Sequence, residues 1–219
     1  MIKIRGAVIL AIMAVVSLAA CDGQGAGTTE APVVETAELT TEVTVTPTEE
    51  PTTEPTPSEL TLTSAAFENG GEIPERYGFY QDNVSPPLTW VGTPNAAQTL
   101  VLIMEDRYQE TPEGPPCHWM LYNIPRYVNT LPEGVPAALT FTDATVQAAN
   151  LNGEHAYAGP FPPLGERHEY VFTLYALRTM VLGLPFGATC DEVRQIIEDN
   201  EDIVLASTEL IGWYEGVAP

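Results

Sequence analysis

The segment from residue 22 to residue 59 most constrains the fold, because it cannot build a hydrophobic core. It consists mainly of Thr, Pro, Glu and Ala, its main large apolar residue is Val, and it has no aromatic and no basic residue. Repeated Thr-Pro and Glu-Pro steps favour an extended, self-repelling chain. We therefore expect a disordered stalk over residues 21–59 and one globular domain of ordinary size over residues 60–219.

The N-terminal residues have the pattern of an export signal. Lys3 and Arg5 precede an uncharged apolar run over residues 7–20, which is too short for a permanent membrane span. The run ends in Leu-Ala-Ala before Cys21, which resembles the lipobox of bacterial lipoproteins, where the cysteine is acylated. We expect a signal peptide over residues 1–20 and a lipid on Cys21 that anchors the exported protein at the cell surface or the periplasmic side of a membrane. An ordinary cleaved signal is the alternative.

The charge of the chain restricts its partners. It has 30 acidic and 8 basic residues, and no lysine follows the expected signal peptide. Nucleic acids and anionic membrane surfaces are bound mainly through basic patches. We therefore expect no nucleic-acid partner and membrane attachment through the N-terminal lipid alone. An anionic ligand has to be held by a local site.

Two cysteines, Cys117 and Cys190, follow Cys21. An exported location permits a disulfide between them, but a domain of this length can bury a sufficient core without one. Two separate small apolar residues are therefore the expectation, and a disulfide is the alternative. No cysteine spacing resembles a zinc site.

Short apolar runs bounded by Pro, Gly or charged residues predict a mainly β domain. The ordered part begins near Leu60, where apolar residues alternate. A helix is predicted over residues 189–199, because Thr189 can cap it and its apolar residues share one face. The strand-like runs are residues 99–104, 118–124 and 170–177.

Polar residues whose side chains can transfer protons or form hydrogen bonds with a ligand lie at the ends of these runs. Asp106 follows the first run, His118 begins the second, and His168 lies just before the third, which begins at Tyr170. Residues 157–165 form a loop rich in Pro and Gly, which suits a rigid wall whose N–H groups meet an anion. Imidazole and phenol groups can donate hydrogen bonds to an anion, and a carboxylate can orient an imidazole.

Several motifs occur in a specific order between residues 60 and 215. They include Asn83-Val84-Ser85-Pro86-Pro87, Asp106, His118-Trp119, Asn123-Ile124-Pro125, Gly159-Pro160-Phe161-Pro162-Pro163 and His168-Glu169-Tyr170. This order resembles that of the phosphatidylethanolamine-binding protein family, in particular its bacterial branch of YbhB/YbcL-type Raf kinase inhibitor-like proteins.

The resemblance implies a fold and a site. The implied fold is a central antiparallel β-sheet flanked by a smaller sheet, with one or two C-terminal helices. The implied pocket accepts phosphate or similar anions without a cofactor. Carried over by position, its ligand-binding residues are Asp106, His118, Gly159, Pro160, His168 and Tyr170.

Two positions depart from the family's pattern. Its acid-Pro-acid-x-Pro motif is here Asp106-Arg107-Tyr108-Gln109-Glu110, and its His-Arg-Tyr motif is here His168-Glu169-Tyr170. An arginine is gained in the first motif and lost from the second. We therefore expect an ion pair of reversed polarity between Arg107 and Glu169.

These observations favour a binding protein over an enzyme, and no catalytic residue or metal ligand is assigned. We expect it to bind a small anionic ligand and to regulate or inhibit a partner protein. One alternative is a hydrolase of phosphate esters, in which His118 or His168 is a general base assisted by Asp106. Another is a metal site of these three residues with His155, since two histidines and a carboxylate are a common ligand set.

Overall fold

A computed structural model describes residues 59–109, 114–180 and 182–218. Within them lie nine β-strands, one α-helix and two short 3₁₀ turns, Glu75–Tyr77 and Glu201–Ile203. The strands are β1 (Thr61–Ser64), β2 (Gly71–Glu72), β3 (Leu88–Val91), β4 (Thr99–Asp106), β5 (Cys117–Pro125), β6 (Thr130–Leu131), β7 (Val146–Gln147), β8 (Arg167–Leu177) and β9 (Val204–Glu215). The helix α1 spans Cys190–Asp199.

The expected signal peptide, the lipid site at Cys21 and nearly all of the expected stalk lie outside the described residues. In the described part, no helix is both long enough and apolar enough to cross a membrane.

The strands form two sheets, which confirms the predicted mainly β architecture. The larger sheet has the order β2-β9-β8-β4-β5-β7, and the smaller sheet has the order β1-β3-β6. Neighbouring strands are antiparallel except β2, which runs parallel to β9. Strand β4 is therefore central, with β5 and β8 on its two sides.

Two hydrophobic clusters cover the two faces of the larger sheet. On β4, Leu100 and Leu102 belong to one cluster, together with Trp90 of the smaller sheet. Val101 and Ile103 of the same strand point to the opposite cluster. The unbroken apolar run of β4 follows from this, because both faces of a central strand are buried.

The predicted helix is confirmed, including its cap. The Thr189 hydroxyl accepts a hydrogen bond from the Glu192 backbone N–H, and the Glu192 carboxylate accepts one from the Thr189 N–H at 2.8 Å. This reciprocal pair is a capping box. Val193 and Ile197 are buried and pack the helix against the second cluster.

The expectation of two separate cysteines is wrong. Cys117 at the start of β5 and Cys190 at the start of α1 form a disulfide, with their Cα atoms 6.3 Å apart. Packing of the helix against the sheet brings these positions together, although 73 residues separate them. The pair ties the helix to the strand that carries His118.

Candidate functional site

Four of the predicted ligand-binding residues meet at one end of the larger sheet. Asp106 ends β4 and pairs across the sheet with Tyr170 of β8. His118 lies at the neighbouring start of β5. Asp106, His118, His168 and Tyr170 are each only 1–3% exposed. Antiparallel pairing therefore brings together the side chains that the sequence selects from three separate runs.

Asp106 holds His168 in place. Nδ1 of His168 lies 2.7 Å from Oδ2 of Asp106, and the other carboxylate oxygen of Asp106 accepts a hydrogen bond from the Tyr108 N–H at 2.9 Å. Nε2 of His168 lies 3.4 Å from the half-exposed carboxylate of Glu166. The Tyr108 ring stacks on the His168 ring, with centroids 4.4 Å apart. One buried carboxylate thus orients both the imidazole and the aromatic ring that covers it.

His118 is oriented by backbone carbonyl groups. Its Nδ1 lies 2.9 Å from the Ala158 oxygen and 3.2 Å from the Gly159 oxygen, so Nδ1–H is the donor and the neutral ring carries its lone pair on Nε2. Burial lowers the pKa of His118 below its usual value of 6.5, and this effect outweighs the opposing influence of the Ala158 carbonyl group and the Asp106 charge. The ring is therefore neutral at pH 7 in the free protein.

Tyr170 supplies a neutral hydroxyl beside these groups. Burial raises the pKa of the Tyr170 hydroxyl well above its usual value, and the charge of Asp106 and a hydrogen bond to its side chain raise it further. The Tyr170 ring meets the His118 ring edge to face at 5.0 Å. Tyr170 therefore remains a hydrogen-bond donor throughout the physiological pH range.

The Gly159-Pro160 segment forms a wall of the site by close backbone packing. A Cβ atom on Gly159 would lie 2.7 Å from Gly78 C and from Phe79 N and would also clash with Tyr77 O, so only glycine fits. The Pro160 oxygen accepts a hydrogen bond from the Phe79 N–H at 2.9 Å. The wall is thus fixed to residues 77–79.

One of the loop N–H groups that the sequence offers to an anion has a partner within the protein. The Gly159 N–H donates to Oδ1 of Asn83 at 2.8 Å. Gly159 therefore contributes to the wall of the site and does not offer its N–H to a ligand.

The expected ion pair of Arg107 and Glu169 is present, but it is not the closest contact of Arg107. Nη1 of Arg107 lies 3.8 Å from Oε1 of Glu169, while its Nη2 makes a shorter contact with Glu209 on β9. The Arg107 side chain is 42% exposed. The arginine gained in the first motif is therefore shared between two carboxylates of neighbouring strands.

His155 does not join this site. Its Nδ1 lies 2.8 Å from the Gln147 backbone oxygen, and its ring lies close to Gly187. Across residues 59–109, 114–180 and 182–218, no three His, Cys, Asp or Glu side chains are grouped closely enough to hold a metal ion. Cys117 belongs to the cluster on the opposite face of the sheet from Trp90, so it does not contribute a thiol to the site.

Four residues of the site are not selected from the sequence. Asn83 fixes Gly159, Phe161 packs 5.2 Å from the His118 ring, Tyr108 covers His168, and Glu166 reaches its Nε2. Glu166 carries a usable signal, because it directly precedes β8 and lies two residues before His168, and positions i and i+2 of an extended chain share one face. The sequence marks Tyr108 only as a departure from the family motif.

A sequence profile described as "Phosphatidylethanolamine-binding protein" matches residues 63–215. A UPF0098 protein from Methanothermobacter thermautotrophicus is 41% identical over 155 residues, which cover 71% of this chain and 98% of that protein. A UPF0098 protein from Chlamydia pneumoniae is 36% identical over 161 residues, covering 71% of this chain and 99% of that protein.

Two solved structures share the fold. One is described as a putative phosphatidylethanolamine-binding protein homolog from Chlamydia trachomatis, with a TM-score of 0.61 and 34% identity, covering 73% of this chain and 99% of that one. The other is Escherichia coli YbcL, described as a new member of the mammalian PEBP family, with a TM-score of 0.64 and 26% identity, covering 72% of this chain and 99% of that one.

Proposed function

The chain belongs to the phosphatidylethanolamine-binding protein family, and on that premise we propose that it is a lipid-anchored extracytoplasmic protein that binds a small anionic, phosphate-type ligand. The ligand lies against His118, His168 and Tyr170, with Asp106 and the Gly159-Pro160 wall behind them. Its occupancy regulates association with a partner protein.

The observation that carries the ligand proposal is the state of His118 Nε2. Among the described residues this nitrogen has no hydrogen-bond partner, whereas Nδ1 has two carbonyl groups in reach. Among the described residues, every side-chain nitrogen or oxygen atom that is fully shielded from solvent has a hydrogen-bond partner. Since Nε2 of His118 has none, this atom must be in contact with solvent, although the residue as a whole is only 2% exposed. A buried imidazole that presents one unpaired nitrogen to solvent is arranged to meet a ligand.

The charges define what kind of anion fits. Asp106 lies 2.7 Å from His168, Glu166 lies beside Nε2 of His168, and Arg107 is occupied by Glu169 and Glu209. A fully ionised phosphate brought here without a proton would meet more negative than positive charge. A proton therefore lies between His118 Nε2 and the bound ligand. It comes either from a hydroxyl group of the ligand or from solvent. A hydrogen phosphate group satisfies this requirement.

Isothermal titration with phosphate, phosphoethanolamine and a nucleotide tests the proposal. The informative variant is His118→Asn, because the Asn side-chain amide can replace the Nδ1 donor toward Ala158 but has no counterpart of Nε2. His155→Asn is the matched control, since His155 also presents Nδ1 to a backbone oxygen but lies outside the site. Loss of binding in His118→Asn with retention in His155→Asn supports the site. Wild-type protein that binds none of the three anions contradicts it.

The anchor and the partner need separate tests. Cys21→Ala in the full chain should move the protein from the membrane fraction to the soluble fraction and abolish labelling by a fatty-acid analogue. A partner regulated by the ligand should be captured differently by the wild type and by His118→Asn. Equal capture by both proteins contradicts regulation by the site without affecting the ligand proposal.

A phosphate-ester hydrolase is a second candidate, favoured by the pairing of His168 with Asp106 at 2.7 Å. A carboxylate bound to Nδ1 is the arrangement that orients a histidine base. Hydrolysis of p-nitrophenyl phosphate that is lost in both His168→Asn and Asp106→Asn supports this reading. Binding without turnover leaves the binding function alone.

A further inference from the structure

The end of the larger sheet opposite to the histidine site carries two arginines that have no carboxylate partner among the described residues. Strand β4 runs from this end, at Thr99, to Asp106, so the two ends lie roughly 23 Å apart. Thr99 pairs with Pro125 on one side and with Leu177 on the other. The residues that follow these two partners are Arg126 and Arg178.

Arg126 and Arg178 differ from the other four arginines after the expected signal peptide. Each of those four forms an ion pair with at least one carboxylate. Arg126 and Arg178 make no ion pair and no side-chain hydrogen bond with any described residue, although acidic residues greatly outnumber arginines in this domain. Both are exposed. The two arginines that lack a partner among residues 59–109, 114–180 and 182–218 therefore lie at the same end of the sheet.

Two shallow grooves open at this end. The first, of about 530 Å³, is lined by Arg126, Tyr127 and Met180 among others. The second, of about 550 Å³, is lined by Leu184 and Phe186 among others. The grooves meet, because Asn123 and Ala144 line both. Each has the volume of a small-molecule site.

The walls of these grooves are unusually apolar for an exposed surface. Tyr127 and Phe186 are each 75% exposed and Met180 is 74% exposed. Single exposed apolar residues are ordinary, but three beside joined grooves form a surface suited to an apolar ligand. Arg126 lines the same groove as Tyr127 and Met180, so a positive charge lies beside this apolar surface.

The junction of the grooves is held in a defined shape. Asn123 and Ala144 have positive φ angles of 57° and 74°, which are uncommon for residues other than glycine. Oδ1 of Asn123 accepts a hydrogen bond from the Leu182 N–H at 3.0 Å and so fixes the segment that follows β8. Asp143 also lines the first groove, but its Oδ1 accepts a hydrogen bond from the Thr145 N–H at 3.0 Å.

We propose that this end of the sheet is a second binding site, for a small amphipathic anion. Its acidic group pairs with Arg126, and Arg178 adds positive charge from the end of β8, on the other side of β4. Its apolar body lies along the grooves past Met180 toward Phe186. Charge complementarity selects an anion, since Arg126 has no internal carboxylate partner among the described residues. The site is independent of the proposed phosphate-type site.

Decanoate is the probe, and decanol and decyltrimethylammonium are its neutral and cationic counterparts, all measured by isothermal titration. We expect decanoate to bind more tightly than either counterpart. Arg126→Gln should weaken decanoate binding about tenfold or more, because a hydrogen bond to a charged group is removed. Arg178→Gln should have a smaller effect. Met180→Gln should weaken the binding of decanoate and decanol alike.

Matched controls separate this site from nonspecific effects and from the first site. Arg76→Gln removes an exposed arginine that is already paired, 3.5 Å from Asp82 and 3.3 Å from Glu133, and should leave decanoate binding unchanged. His118→Asn should also leave it unchanged. The proposal is overturned if decanoate does not bind, if decyltrimethylammonium binds as tightly, or if Arg126→Gln has no greater effect than Arg76→Gln.

Discussion

His168 Nδ1 lies 2.7 Å from Asp106 Oδ2, and Asp106 Oδ1 simultaneously accepts the Tyr108 N–H. Asp106→Asn keeps an oxygen for the Tyr108 turn but removes the charged acceptor of His168. We expect it to destabilise the protein by about 1.5–3 kcal/mol, the range for a hydrogen bond to a charged group. Urea unfolding measures this change, and titration with phosphate should show weaker binding.

Asp143→Asn is the matched control for that prediction. Asp143 Oδ1 also accepts the N–H two residues later, from Thr145 at 3.0 Å, but Asp143 lies outside the histidine site. Its substitution should change stability by no more than about 0.5 kcal/mol. If the two variants lost equal unfolding free energy, Asp106 would stabilise the protein only through its hydrogen bond with the Tyr108 N–H and not through His168.

Binding of an anion at His118 should depend on pH. Burial lowers the pKa of His118 in the free protein, and an anion beside Nε2 raises this pKa because it stabilises the imidazolium. The complex therefore binds a proton that the free protein lacks, and affinity must rise as the pH falls. Between the two pKa values the association constant increases at most about tenfold per pH unit.

Sulfate tests this dependence, because its charge is constant between pH 5 and pH 8. Titrations of the wild type over this range should show rising affinity toward low pH, and His118→Asn should lose this part of the dependence. Sulfate binding by the wild type that is independent of pH, or tighter at pH 8, would show that His118 is not protonated in the complex.

The wall of the site should be sensitive to a single methyl group. Gly159→Ala places a Cβ atom against the backbone of residues 77–79, which cannot move aside as a side chain could. We expect a loss of about 1–3 kcal/mol in unfolding free energy, as for other overpacked positions. Gly134→Ala is the comparison, because its φ of 69° is unfavourable but nothing lies within 4 Å. It should lose only about 1–2 kcal/mol and leave phosphate binding intact.

The sequence predicts the framework of the site well, because its strands are strongly apolar. Strands β4, β5 and β8 lie at the centre of the larger sheet, and their residues face clusters on both sides. Such strands appear as unbroken apolar runs, so their ends, and therefore Asp106, His118 and His168, can be located from the sequence. The resemblance to the family adds the expectation that these ends share one pocket.

Strand β9 was not predicted, although it is the longest strand at 12 residues. Its first half, Val204–Thr208, is only partly buried or exposed, and the run Ala206-Ser207-Thr208-Glu209 has little apolar character. Pairing with all of β8 holds it in the sheet. Pairing with a neighbouring strand can thus outweigh a weak intrinsic β-propensity. The sequence of β9 alone does not show which strand it pairs with.

Contacts between loops that are distant in the sequence could not be predicted from the sequence either. Asn83 reaches Gly159 across 76 residues, and no spacing rule connects them. The same applies to Cys117 and Cys190, whose proximity depends on how α1 packs on the sheet. Sequence patterns specify which face of an element is buried, whereas the meeting of two loops depends on the whole fold.

The disulfide should contribute substantially to stability. Its two cysteines are 73 residues apart, and closing a loop of this length in the unfolded chain corresponds to about 4 kcal/mol in the chain-entropy description. Reduction should therefore lower the melting temperature by roughly 10 °C. The double variant Cys117→Ala/Cys190→Ala should melt at the lower temperature and be insensitive to the reductant. A wild-type protein with two free thiols before reduction would contradict the pairing.

The shared arginine at the rim gives a prediction about which of its two carboxylates matters. Arg107 makes its shorter contact with Glu209 and lies 3.8 Å from Glu169. Because the side chains of Arg107 and Glu209 are 42% and 41% exposed, their coupling in a double-mutant cycle should be only about 0.2–1 kcal/mol. The coupling of Arg107 with Glu169 should be smaller still. If the Glu169 cycle gave the larger value, the reversed pair expected from the family motifs would be the dominant interaction, and the contact with Glu209 would contribute little to fixing the rim.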